Sequence, residues 1–193
     1  MGIRLAPNGK PSNLSEQQWL QVRTPEFKAW FGDWEQQGPD SSMAVDENGE
    51  PMILYHGTKT GGFAAFRLNE RGLIFAASSR ETAVSYAGRD EDIRPDIPTL
   101  QRGVYQLFLN IRDPITVDFN GASYYTLPQI DGNDVTDALG IQAMRIGKDG
   151  AILREIVDDG GELHEEIHKP SDIFIVFDPN QVRLALVDRL LLL

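Results

Sequence analysis

Residues 44–58 read Ala44-Val45-Asp46-Glu47-Asn48-Gly49-Glu50-Pro51-Met52-Ile53-Leu54-Tyr55-His56-Gly57-Thr58. Two short apolar runs, at 44–45 and 52–55, flank a polar segment. The Asn48-Gly49 pair inside that segment favours the positive φ of a tight turn, so a β-hairpin is the expectation. The second strand runs into His56-Gly57-Thr58 and then into a loop with Gly61 and Gly62. Residues before the hairpin read as helix, and residues after it read mainly as short strands.

Toward the N-terminus, residues 1–13 are rich in Pro, Gly and Asn and read as a tail. Ser15 with Gln18 three residues on fits a capping box ahead of Trp19, Leu20 and Val22. Thr24 then serves as N-cap, Pro25 as first helical residue and Glu26 as first-turn acid. Phe27, Trp30, Phe31 and Trp34 recur at i, i+3, i+4 and i+7, an apolar stripe. The stripe is expected to pack on its own domain, and it is the first surface to suspect if the chain dimerises. Gly38-Pro39-Asp40 ends this pattern, which makes residues 1–37 a helical extension and 38–193 the main domain.

Toward the C-terminus, 73–76 reads as a short strand. Residues 79–87 read as a short helix capped by Ser79, with Ala83, Val84 and Ala87 on one face. The polar segment 88–102 is expected to be a mobile loop. Residues 104–111 alternate as a strand, with 114–119 continuing it beyond a break. A helix over 134–145, weakened by Gly140, precedes strands at 151–157, 173–177 and 182–187. No internal repeat and no regular strand–helix alternation is visible, so the fold class is α+β.

The chain has 193 residues, enough for one domain with a core of its own. It contains no cysteine, which excludes disulfides, thiolate zinc sites and a cysteine nucleophile. No apolar run reaches the roughly 18 residues needed to span a bilayer, and the N-terminus lacks the apolar core of a secretory signal. A cytoplasmic protein is expected. The abrupt Leu-rich end, residues 190–193, suggests a fragment of a larger polyprotein. The net charge of −11 repels phosphate backbones, and no basic patch offsets it, so duplex nucleic acid is not an expected partner. The acid is concentrated in Glu155, Asp158, Asp159, Glu162, Glu165, Glu166 and Asp172, a stretch read as a solvated loop.

A His at a strand end followed by Gly sets an imidazole beside an accessible backbone amide, a pair able to bond a ribose hydroxyl and a carboxamide together. A structural histidine remains the alternative for His56 on this tetrapeptide alone. Gly72-Leu73-Ile74-Phe75-Ala76 with Ser79 and Ser85-Tyr86-Ala87 resembles the second motif of ADP-ribosyltransferases of the poly(ADP-ribose) polymerase and diphtheria-toxin type. Residues 172–182, from Asp172-Ile173-Phe174 to Gln181-Val182, resemble their third motif. The chain is more similar still to the ADP-ribosyltransferase domains of phage and mobile-element polyvalent proteins. That likeness rests on residues 23–34, Arg23 to Trp34, on Asp46-Glu47-Asn48-Gly49-Glu50-Pro51, and on Tyr55-His56-Gly57-Thr58. It extends to Leu109-Asn110-Ile111, Asp113-Pro114 and Asp149-Gly150.

The resemblance implies a fold of two small antiparallel sheets around a cleft for NAD+, which serves as substrate without a metal. His56, Gly57, Thr58, Ser79 and Tyr86 are the implied NAD+ contacts. Among them, His56 bonds a ribose, the Gly57 backbone holds the carboxamide and Tyr86 stacks on nicotinamide. His56, Asp172 and Gln181 are the candidates for catalysis, although Asp172 also reads as a loop cap and Gln181 as a backbone-bonding residue. Two departures stand out: Ile74 replaces the usual Tyr, and Ile173 replaces the usual Glu. Mono-ADP-ribosylating relatives also lack that Glu, so mono-transfer from NAD+ to a host macromolecule, with a host protein favoured, is the leading expectation. A catalytically degenerate interaction module and an NAD+ glycohydrolase are the alternatives. His164-Glu165-Glu166-Ile167-His168 matches the H-E-x-x-H pattern of zinc hydrolases. Gly160-Gly161 and Pro170 leave it no room for a helix, and residues 169–193 offer no third His or Glu ligand.

Overall fold

Ile173 and Ile175 alternate along one strand with Phe174 and Val176, and all four are buried. A strand covered on both faces belongs in the middle of a sheet. The computed structural model places it there, and it describes residues 3–36, 38–59, 65–87, 103–158 and 169–186. The strands are β1 (Leu54–Thr58), β2 (Ile74–Ala77), β3 (Gly103–Leu109), β4 (Pro114–Asp118), β5 (Gly150–Ile156), β6 (Ser171–Val176) and β7 (Val182–Leu184). Their order is β4-β5-β6-β2-β1-β3-β7. Only the β4–β5 pair is parallel.

The described residues thus form one seven-stranded mixed sheet, where two small antiparallel sheets were expected. The join is thin at one place. β1 pairs with β2 only at Tyr55↔Ala77, whereas β1 and β3 share five register pairs and β2 and β6 share four. The two halves of the sheet are therefore laced together by a single rung.

Among the described residues, four α-helices frame this sheet: α1 (Glu16–Gln21), α2 (Pro25–Phe31), α3 (Arg80–Ala87) and α4 (Val135–Arg145). Both N-terminal helices start as their sequences predict. Ser15 Oγ accepts from the Gln18 amide while Gln18 Oε1 accepts from the Ser15 amide, and Thr24 Oγ1 accepts from Phe27 N. Phe27, Phe31 and Trp34 pack with Leu14, Val22, Phe108 and Ala185, so the aromatic stripe faces its own sheet. Gly32, at φ +96°, ends α2 and turns Trp34 inward.

Three expectations are corrected by the tertiary structure. The segment 44–58 is not a full hairpin: Val45 and Pro51 make one isolated bridge around the Asn48-Gly49 turn. Met52 N donates to Ala44 O and Asp46 N to Glu50 O on either side of that bridge, and fully buried Glu50 turns its side chain toward Ser12 and Arg23. His56, Gly57 and Thr58 lie within β1 rather than after it. β4 does not prolong β3; it crosses to the opposite edge of the sheet and pairs with β5, with α4 between them in sequence. The helix expected over 134–145 is found as α4, and its Gly140 also serves packing, since a Cβ there would lie 3.0 Å from Leu73 and 3.1 Å from Ile175. The segment 88–102 lies outside the described residues, as do residues 159–168 with the H-E-x-x-H pattern, and residues 187–193.

Candidate functional site

A cavity of about 490 Å³ opens where β1 and β2 part, within the size range of small-molecule sites. β1 supplies Tyr55, His56 and Gly57, β2 supplies its whole length, and α3 supplies Thr82, Ala83 and Tyr86. Beyond Tyr55 the β1–β2 ladder stops, and a side chain takes over the link. His56 Nδ1 sits 2.8 Å from the Phe75 carbonyl oxygen. A carbonyl can only accept, so Nδ1 carries the hydrogen and Nε2 is left as an acceptor. Burial lowers the His56 pKa, and the Phe75 bond offsets this only in part. The imidazole is therefore neutral at pH 7, with Phe66 edge-on at 5.3 Å between ring centroids.

Gly57 has a packing reason to lack a side chain. A Cβ would lie 1.7 Å from the Ala83 carbonyl oxygen, so α3 rests directly on the β1 backbone at this residue. That close approach brings Tyr86 to the cavity. The residue is 40% exposed, while its hydroxyl donates to Asp158 Oδ1 at 2.6 Å. Burial of the hydroxyl end raises the Tyr86 pKa, and the Asp158 charge raises it further. Tyr86 thus stays a neutral donor with an accessible ring face.

The remaining sequence candidates fall elsewhere. Asp172 points away from the cavity wall formed by its neighbour Ile173; it pairs with Arg154 and accepts from the Glu155 amide at 3.0 Å. Gln181 bonds only backbone: Nε2 donates to Asn110 O and Asp149 O, and Oε1 accepts from the amides of Phe177 and Asp178. Ser79 Oγ caps α3 by accepting from Thr82 N. Neither Ser79 nor Thr58 lines the cavity.

Three carboxylates that the sequence did not single out do line it: Asp134, Asp137 and Asp158. Asp134 accepts from the Gln129 side-chain Nε2 at 3.0 Å, and Asp137 lies 3.6 Å from Arg71. Burial raises the Asp137 pKa, with Arg71 opposing. Asp158 is only 7% exposed, although it belongs to an acidic run that reads as solvated. No sequence pattern marks these three, because their convergence depends on how α4 and the end of β5 meet. Among the described residues no group of three His, Asp or Glu side chains could hold a metal, and no helix is long and apolar enough to cross a membrane.

A family model described as ADP-Ribosyltransferase in polyvalent proteins matches residues 46–189. No curated protein and no solved structure matches the chain.

Proposed function

The chain belongs to the family of ADP-ribosyltransferases in polyvalent proteins, and on that premise we propose that it moves a single ADP-ribose from NAD+ to a host protein. The observation that carries this reading is the pairing, in one cavity, of a neutral His56 with a free acceptor nitrogen and a Tyr86 ring open to solvent. In the proposed complex, Nε2 of His56 accepts a ribose hydroxyl of NAD+ and the Gly57 backbone meets the carboxamide. Tyr86 stacks on the nicotinamide ring, a contact of about 1 kcal/mol beyond its buried area.

Confinement in this geometry favours breaking of the bond between C1′ of the ribose and the nicotinamide nitrogen. The bonding pair leaves with nicotinamide and cancels its ring charge, and the ribose becomes oxocarbenium-like. A nucleophile of the acceptor then bonds C1′ and gives up its proton. Ile173 supports one transfer rather than chain growth, since it puts a hydrocarbon where the resemblance gives Glu. The charge of −11 favours a basic acceptor through long-range attraction. A bacterial cytoplasm is the proposed place of action and a phage or mobile element the proposed source.

A second reading has its own observation. Ile74 and Ile173 are each 2% exposed and well packed, as in a binding module that has kept its fold and lost its chemistry. Calorimetry with NAD+ and an assay of nicotinamide release separate the two. The wild type is expected to bind saturably and release nicotinamide, and His56→Ala and Tyr86→Ala are expected to lose binding. Labelled adduct on lysate proteins then marks a transferase, and free ADP-ribose without adduct marks a glycohydrolase. No binding at millimolar NAD+ would leave only the module.

A further inference from the structure

Residues that face each other across an antiparallel pair share one face of the sheet, and successive residues alternate. Leu153 of β5 pairs with Ile173 of β6, and the next register pair is Ile156 with Ser171. Three steps along β5 thus match two along β6, a bulge of one residue. Glu155 sits in that bulge at φ +51°, with its amide bonded to Asp172. The extra residue resets the alternation, so Ile156 and then Asp158 fall on the Ile173 side. Without it, Asp158 would lie on the side of Asp172. Two contacts agree with this count. Ser171 Oγ meets Thr82 Oγ1 of α3 at 3.4 Å, and one helical turn later Tyr86 meets Asp158.

We propose that Asp158 is the catalytic carboxylate of this cleft, supplying from just beyond β5 the negative charge that Ile173 withholds on β6. The inference rests on the transferase reading and adds a residue to it. Asp158 lines the cavity, is 7% exposed and is held by the hydroxyl of the residue proposed to stack on nicotinamide. Tyr86 remains a neutral donor to this carboxylate. As the C1′–N bond breaks and its electron pair leaves with nicotinamide, Asp158 stabilises the positive charge growing on the ribose. When the acceptor hydroxyl or amine bonds C1′, its proton passes to Asp158 and from there to water. A charge fixed in a water-poor cleft is worth far more than one in bulk solvent.

The test compares the wild type with Asp158→Asn, Asp158→Ala and Tyr86→Phe, reading NAD+ affinity by calorimetry and nicotinamide release by turnover. Asp158→Asn is expected to bind NAD+ within a few-fold of the wild type and to lose release by about 100-fold or more. Tyr86→Phe keeps both ring and carboxylate, and is expected to lose less than about 10-fold. Added formate is expected to restore release to Asp158→Ala, which also guards against a misfolded variant. Equal losses in Tyr86→Phe and Asp158→Asn would overturn the proposal and leave Asp158 an anchor for the tyrosine. Full release by Asp158→Asn would overturn it too, with the transferase reading intact. A wild type that neither binds nor cleaves NAD+ would remove both.

Discussion

His56 has two ring nitrogens with separate roles in this fold: Nδ1 ties β1 to β2, and Nε2 is the acceptor offered to a ligand. Burial favours the neutral ring, which fixes the direction of its pH dependence. An unfolded histidine titrates near about 6.5, and His56 titrates lower when folded. As the pH falls, the unfolded chain takes up the proton first, so stability declines from about pH 6.5 down to the depressed folded value. Above that window His56 adds no slope. Urea melts across this range are expected to show the decline in the wild type and a shallower one in His56→Gln. NAD+ affinity should stay flat from pH 8 to about 6.5 and weaken once His56 gains its second proton. Tighter binding on acidification would contradict a neutral acceptor.

At the scale of the element, α3 and β1 act as one piece because Gly57 lets them touch. The Ala83 carbonyl oxygen and carbon would lie 1.7 and 2.6 Å from a Cβ at position 57. Both are backbone atoms of a helix, and neither can rotate aside as a side chain could. Gly57→Ala is therefore expected to cost at least the about 1–3 kcal/mol of an overpacked core. It should also displace Tyr86 and Asp158 together, so NAD+ affinity is expected to fall with the melting temperature. A variant with unchanged melting and unchanged affinity would show that α3 is not seated as described. The bulge in β5 is a second element-scale device, since one residue decides which side of the sheet Asp158 joins.

On the scale of the whole molecule, the N-terminal helices are joined to the sheet through charge as well as apolar packing. Arg23 lies 3.8 Å from the Trp19 ring and 4.9 Å from the Trp34 ring, and it donates to fully buried Glu50 at 2.8 Å. Removing one partner of such a pair strands the other in a medium that solvates it poorly. Arg23→Leu is expected to lower the unfolding free energy by about 3–5 kcal/mol. Arg23→Leu with Glu50→Leu should recover part of that loss, as denaturant titration would measure. If Arg23→Leu alone were neutral, the helical extension would not be anchored here. The family match begins at residue 46, yet Phe27, Phe31 and Trp34 share a cluster with Phe108 of the sheet.

Local chemistry made several elements legible from residue order alone. Ser15 with Gln18, and Thr24 with Pro25, satisfy helix ends within a few residues, so both N-caps were readable. The same holds for the cap at Ser79 and for the burial of Phe27 and Phe31. Family membership and the α+β class were equally legible, because motifs such as Tyr55-His56-Gly57-Thr58 are runs of adjacent residues. Only the tertiary structure decided what depends on distant partners. It set the β4 edge, the single rung at Tyr55↔Ala77, the tautomer of His56 and the closing of Gln181 onto backbone. Asp158 illustrates the physical reason. In sequence it is one acid among many, and its burial arises from a bulge, a neighbouring strand and a helix that meet only when the chain is folded.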